Sequence, residues 1–248
     1  CTRMAIGGRA LAARIAWDEI PAGAGAFDGA NRVIIATGPL TGTLSPTSGR
    51  TVMATVSPRT YPREWYTHST LGGWFGAELK YAGYDAVVVR GKASTPVYLE
   101  IRDAQVSLRD ASDLWGNEAR EAQLVLRERL GGRAQVLAIG PAGEHRVRFA
   151  TVQHAEENAA GHSGFGAVWG AKNLKAIAVR GSGSVAVAHP MALLDEVLAA
   201  GTDNVTPRIA VLNEETSRQR KPVCSQACTF NCGVARYSRT AEGRLAPA

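Results

Sequence analysis

Val33-Ile-Ile-Ala-Thr-Gly-Pro39 and, about a hundred residues on, Val136-Leu-Ala-Ile-Gly-Pro141 decide how the fold is read. Each is a short apolar run that stops at a Gly-Pro turn, as a buried strand does when the next residues cannot extend it. Gly-Pro is a common strand terminator, so the echo has a bland reading. The sharper one is a pseudo-duplicated β-sheet domain that presents two similar loops to two similar ligands.

Outward from these runs, the first lies between a helix over Ala5–Glu19, ended by Pro21, and a strand over Thr51–Ser57. Ser57-Pro58 predicts a loop to about Leu71, followed by a short helix over Trp74–Tyr81 and a strand over Ala86–Arg90. Val97–Arg102 and Gln105–Arg109 alternate as half-buried strands do. Glu118–Leu130 is an amphipathic helix closed by Gly131-Gly132, and leads into the second run at Gln135–Ile139. Arg146–Gln153 and Ala176–Arg180 read as further strands, and Met191–Ala200 as a helix. Strands and helices are mixed rather than strictly alternating, so the class is α+β with flanking helices. Gly181–Ser184 marks a boundary: residues 1–182 form the sheet domain, and residues 183–248 begin a second, helical one.

The 248 residues are 45% hydrophobic and 20% charged, ordinary for a globular protein. No run approaches the roughly 18 apolar residues of a membrane span, and no leader-like segment opens the chain. A soluble, cytoplasmic protein is expected. The net charge of +6 is spread without basic blocks or interleaved aromatics, which argues against nucleic acid and suits bound phosphates. The start at Cys1 and the unfinished pattern at Ala248 lead us to expect a piece of a longer protein.

Glycine recurs where backbone must come close to something: Gly38-Pro-Leu-Thr-Gly42, Ser48-Gly-Arg50, Leu71-Gly-Gly-Trp-Phe-Gly76 and Ala159-Ala-Gly-His-Ser-Gly-Phe-Gly166. Glycine lets N–H groups approach a phosphate or flat ring, and Gly72-Gly73 precedes a helix, where anions are favoured. None of these fits a P-loop or the dinucleotide fingerprint.

Taken in order and spacing, these segments carry a resemblance. With Gly72-Gly-Trp-Phe-Gly-Ala-Glu-Leu-Lys80, Ala82-Gly-Tyr-Asp-Ala86, Ile139-Gly-Pro-Ala-Gly-Glu144 and Gly164-Phe-Gly-Ala-Val-Trp-Gly-Ala-Lys-Asn-Leu-Lys-Ala-Ile-Ala178, the chain resembles the aldehyde:ferredoxin oxidoreductases from about Gly7 to Gly181. The resemblance implies a sheet-rich base under a tungsten (or molybdenum) bis-pyranopterin whose phosphates are joined by magnesium. It implies that Arg50 lies between pterin and iron–sulfur cluster, where its permanently charged fork suits two anionic partners. It implies phosphate binding around Gly72 and Gly73, and magnesium-bound carbonyls at Thr70 and Ala159. Asn158, Gly161 and His162 complete the implied cofactor contacts. Family members commonly carry arginines where this chain has Asn158 and His162, so fixed charge is lost there. The loop before Gly72 also runs about three residues longer than in the family.

Cys224, Cys228 and Cys232 are spaced C-x3-C-x3-C within nine residues. Clustering points to metal rather than disulfides, as three ligands of a [4Fe–4S] cluster or, alternatively, to zinc. The family implies a fourth cysteine further downstream; Cys1 is read as a bystander. The implied reaction is oxidation of a small aldehyde to its acid, with electrons passed to ferredoxin or another electron-transfer subunit in a homo- or hetero-oligomer. Alternatives are ring reduction of an aromatic acyl thioester, as in benzoyl-CoA reductases, or a non-catalytic electron-transfer or scaffold fragment. No catalytic acid or base is assigned: His68, His145, His154 and His162 are each expected on the surface or in loops.

Overall fold

The computed structural model describes residues 5–60, 62–155, 158–199, 237–239 and 245–247. The chain begins with helix α1 (Gly8–Glu19), then strands β1 (Val33–Thr37), β2 (Thr51–Ser57) and β3 (Trp65–Leu71), helix α2 (Phe75–Tyr81) and strand β4 (Ala86–Val89). A hairpin, β5 (Val97–Arg102) and β6 (Gln105–Asp110), follows. Then come α3 (Ala119–Leu130), β7 (Gln135–Ala138), the single turn α4 (Pro141–Glu144), β8 (Val152–His154), β9 (Asn158–Ala160), α5 (Phe165–Ala171) and β10 (Leu174–Arg180). Helix α6 (Pro190–Ala199) and a small pair, β11 (Tyr237–Arg239) and β12 (Leu245–Pro247), end the described chain.

The strands form two principal sheets, ordered β3-β2-β1-β4 and β6-β5-β10-β7-β8-β9. The duplication anticipated from the Gly-Pro echo is present in this topology. In the first unit α1 precedes β1, β2 and β3 add outward from β1, and α2 leads to β4 on its other side. In the second, α3 precedes β7, β8 and β9 add outward, and α5 leads to β10 on the other side. All of these pairings are antiparallel. Even the register repeats: Ala36 faces Ala86 across β1 and β4, and Ala138 faces Ala176 across β7 and β10. The β5–β6 hairpin lies outside the repeat and joins the second sheet through a parallel β5–β10 pairing.

Alternation along the strands sorts the core. Val33, Ile35, Leu137, Ile177 and Val179 point into one shared core with Phe75 from α2 and Phe165 and Trp169 from α5. The intervening Ile34 and Ala36 meet Leu11, Ala12 and Ala16 of α1. On the second sheet, Val136, Ala138, Ala176 and Ala178 take Ala122, Leu126 and Leu130 of α3. Alanine on these outer faces lets the helices lie close. A reciprocal Glu118–Glu121 capping box starts α3.

Three sequence expectations are corrected. The stretch read as a loop from Ser57 to Leu71 contains β3, paired with β2 along its whole length from Ser57↔Trp65 to Thr51↔Leu71. Its side chains are mostly exposed, so the apolar alternation that reveals a strand is missing. Arg146–Gln153 is mostly turn, and pairing begins only at Val152 because Arg146 has a positive φ of 57° and Val147–Ala150 close a turn. His154 is no surface or loop residue; it is 2% exposed at the end of β8. Cys224, Cys228 and Cys232 lie outside the described residues.

Candidate cofactor site at the seam of the two sheets

β3 ends the first sheet and β9 ends the second, and these equivalent edge strands pack against one another. An edge strand keeps a row of N–H and C=O groups that no ladder satisfies, so the seam offers backbone donors and acceptors from both units. Thr70 and Ala159 are exposed residues of these strands, paired on their inner sides with Val52 and Gln153. The turn at Gly72-Gly73 continues β3, and Asn158 opens β9 directly beside it: a Cβ added at Gly73 would stand 3.5 Å from the Asn158 amide nitrogen. Gly73 itself has φ 95°. Antiparallel pairing of Thr51 with Leu71 brings Arg50, exposed just before β2, to the level of Gly72. Half-buried Gly161 has nothing within 4 Å of where a Cβ would be, and His162 is exposed with φ 74°. Thr70, Gly72, Gly73, Arg50, Asn158, Ala159, Gly161 and His162 are thus gathered at or beside one seam.

Each glycine turn is braced by the opposite unit. The Nε2 of His154, at the end of β8, accepts from the Trp74 N–H at 3.1 Å. Its Nδ1 lies 2.9 Å from the Val136 carbonyl, so that nitrogen carries the proton and the ring is neutral. Burial holds this imidazole below its ordinary value. A side chain at Gly73 would collide with the ring, which is why glycine is needed there. In the other direction Ser57, the last residue of β2, donates to the Ser163 carbonyl at 2.8 Å. Arg59 donates to the His162 carbonyl at 2.6 Å, and Thr67 and Ser163 hydroxyls lie 3.2 Å apart.

A groove of about 560 Å3 opens here, lined by Ser57, Arg59, Thr60, Trp65, Thr67, His68, His162 and Ser163. No carboxylate lines it among the described residues. Guanidinium, imidazole, hydroxyl and exposed backbone make a donor-rich set that fits an anionic, phosphate-bearing group. No group of side chains among the described residues would hold a bare metal ion, so backbone carbonyls are what the seam offers a hard cation. Sequence reasoning missed His154 and Arg59. A lone buried histidine leaves no periodic trace, whereas Arg59 was findable as the one cation in the first turn beyond β2.

The flanks fix the geometry. Glu78 of α2, buried and shifted upward by that burial, accepts from the Gly181 N–H at 3.0 Å. Lys172 donates to the carbonyls of Asn31 at 2.7 Å and Gly91 at 2.8 Å, and burial brings it down to about 8. Lys175, fully buried, pairs with Glu144 and donates to the Asn117 carbonyl at 2.7 Å.

Residues 1–181 match the family described as aldehyde ferredoxin oxidoreductase, N-terminal domain. The chain is 46% identical over 184 residues to a tungsten-containing aldehyde ferredoxin oxidoreductase of Pyrococcus furiosus, which covers 74% of this chain and 30% of the relative. A tungsten-containing aldehyde ferredoxin oxidoreductase of Pyrococcus horikoshii is 51% identical over 163 residues, 65% of this chain and 26% of that one. Among solved structures, the BamBC active-site complex of benzoyl coenzyme A reductase with 1,5 dienoyl-CoA matches with a TM-score of 0.80. That match has 33% identity over 93% of this chain and 43% of the other. The chain therefore spans less than a third of the curated relatives it matches. With a family match over most of its length and the duplicated sheet domain in place, the chain belongs to the aldehyde ferredoxin oxidoreductase family, of which residues 1–181 are the N-terminal domain.

Proposed function

We propose that this chain supplies the cofactor-bearing floor of a tungsten-dependent oxidoreductase that oxidises a small aldehyde to its carboxylic acid. The observation that carries the reading is the seam itself, where two equivalent edge strands meet with a glycine turn beside each, next to a groove lined by guanidinium and imidazole but by no carboxylate among the described residues. When bound, a tungsten (or molybdenum) bis-pyranopterin supplies the two-electron chemistry, water providing the added oxygen and ferredoxin taking the electrons one at a time through a [4Fe–4S] cluster. Gly72 and Gly73 would let backbone N–H groups reach a pterin phosphate, and Asn158, Gly161 and His162 would contact the cofactor. The carbonyls of Thr70 and Ala159 would hold a magnesium ion. Arg50 would donate toward both pterin and cluster, and Cys224, Cys228 and Cys232 would provide three cluster ligands. Residues 1–182 are the cofactor-supporting domain and 183–248 the start of the cluster-bearing one.

A second reading, ring reduction of an aromatic acyl thioester, is favoured by the structural likeness to a benzoyl coenzyme A reductase complex and by Asn158 and His162 standing where arginines are common in the family. In that case the working form is a hetero-oligomer with an electron-transfer subunit.

The test is anaerobic production of the full-length gene product in tungstate, beside residues 1–248 alone. Tungsten, pterin fluorescence, iron (about four per cluster) and aldehyde-dependent dye reduction are then measured. The full-length protein is expected to carry all four signals and the shorter chain to retain none, because an incomplete shell binds weakly. Iron without tungsten or pterin in the full-length protein overturns the reading in favour of an electron-transfer or scaffold role. Oxidation of reduced dye by an aromatic acyl-CoA, with no aldehyde activity, selects the second reading.

A further inference from the structure

Arg59 is the cation that the first unit brings to the groove. It follows β2 in the first turn of the long β2–β3 connection, is exposed, and reaches across to the second unit. Its Nη1 donates to the His162 carbonyl at 2.6 Å and also contacts His162 Nδ1, which fixes the direction in which the guanidinium points. No carboxylate among the described residues pairs with Arg59, unlike Arg14, Arg32, Arg90, Arg102, Arg129 and Arg148, each of which has one. Its Nε and Nη2 donors meet no acceptor among the described residues. An arginine that was merely solvated would have no reason to be tied back to a left-handed residue of the other unit. Held this way, it presents an oriented fork, the geometry that binds phosphate oxygens in pairs. The hydroxyls of Ser57, Thr67 and Ser163 line the same groove.

We propose that Arg59, with His162, is an anion-binding pair at the cationic end of this groove and takes a phosphate of the phosphorylated cofactor. The proposal rests on the cofactor reading above. It also accounts for a histidine rather than an arginine at position 162: the fixed charge enters from the first unit rather than from the β9 turn.

The experiment uses full-length protein freed of metal and cofactor, titrated with inorganic pyrophosphate by calorimetry, with sulfate as a control anion. Wild type is expected to bind saturably. Arg59→Ala and Arg59→Gln should each weaken binding on the order of tenfold or more, with Arg59→Lys in between. Two neutral variants are compared so that a folding failure in one leaves the other to decide, and thermal midpoints identify such a failure. Equal affinity in wild type and a folded neutral variant, or no saturable pyrophosphate binding by wild type, overturns the proposal. Pterin content of wild type as purified separates the two claims. Pterin present with pyrophosphate affinity indifferent to Arg59 sinks the Arg59 assignment alone. Pterin absent with Arg59-dependent pyrophosphate binding sinks the cofactor reading and upholds the anion site.

Discussion

The two units of the repeat share a topology, yet they bury their last strands to different depths. Phe75-Gly-Ala begins α2 and Phe165-Gly-Ala begins α5, an offset of 90 positions that continues through Ala86 and Ala176 to Arg90-Gly91 and Arg180-Gly181. β4 is a sheet edge and half-buried throughout. β10 has the β5–β6 hairpin beyond it and is buried except at its last residue. The inserted hairpin thus converts an edge position into a central one. Equivalent positions then face opposite electrostatic demands. Asp85 in the first unit has its side chain 64% exposed and pairs with Lys80 at the surface, whereas Lys175 in the second is fully buried and pairs with Glu144. An exposed pair contributes little, while a buried charge depends on its partner. The duplication conserves backbone path, while local cover decides which side chains carry energy.

The largest expected effect breaks this contrast directly. Glu144→Leu leaves the Lys175 ammonium buried with only a carbonyl acceptor and also removes the acceptor for the Gly116 N–H at 2.9 Å. Urea unfolding should show a loss of about 3–5 kcal/mol. Asp85→Ala, at the position equivalent to Lys175, should cost no more than about 1 kcal/mol. Similar losses in both variants would mean that cover does not distinguish the units.

An intermediate effect separates the two braces by pH. His154 is held below its ordinary value of about 6.5 by burial, so its neutral form belongs to the folded state and the unfolded chain binds the proton more readily. Its contribution to stability is complete above about pH 6.5 and is lost as pH falls from there, by about 1.4 kcal/mol per pH unit until the folded-state value is reached. Ser57, its counterpart from β2, does not titrate. Relative to a His154→Gln variant, wild type should therefore lose stability between pH 6.5 and 5.5, whereas a Ser57→Ala variant should run parallel to wild type. Parallel curves for wild type and His154→Gln would remove the neutral imidazole from the account.

The smallest effect tests how far equivalence goes. Gly83 (φ 93°) and Asn173 (φ 56°) occupy matching positive-φ positions after α2 and α5. Nothing lies within 4 Å of a Cβ at Gly83, and asparagine tolerates this conformation. Gly83→Asn should change the thermal midpoint by no more than a few degrees, equivalent to less than about 1 kcal/mol.

Much of this was legible in the residues. Val33–Thr37, Thr51–Ser57, Gln135–Ala138 and the capped, amphipathic α3 all announce themselves through apolar periodicity and terminators, and the two Gly-Pro turns disclosed the repeat. The longer Phe-Gly-Ala to Arg-Gly echo escaped because seven matches scattered over seventeen positions look like chance until the strands are paired. β3 was hidden because Trp65-Tyr-Thr-His-Ser-Thr70 serves a seam rather than a core, and so has no apolar face to declare. The glycine turns and their neighbours were read as a candidate cofactor site through family resemblance, and the structure gathers them along one seam. Their braces were not, because His154, Ser57 and Arg59 each act on the opposite unit, and local sequence says nothing about which distant backbone a side chain will meet.

The reciprocal bracing also constrains how the molecule can be made. The bonds that complete the turns join residues 80, 103 and 106 positions apart. Contacts of such long range raise contact order and slow folding, since a large loop must close before any of them forms. During synthesis the first glycine turn emerges well before His154, and the second cannot be strapped until Ser163 has followed. The first unit therefore has no finished turn of its own, and any ligand that needs both turns meets a complete surface only once the whole double unit has been synthesised.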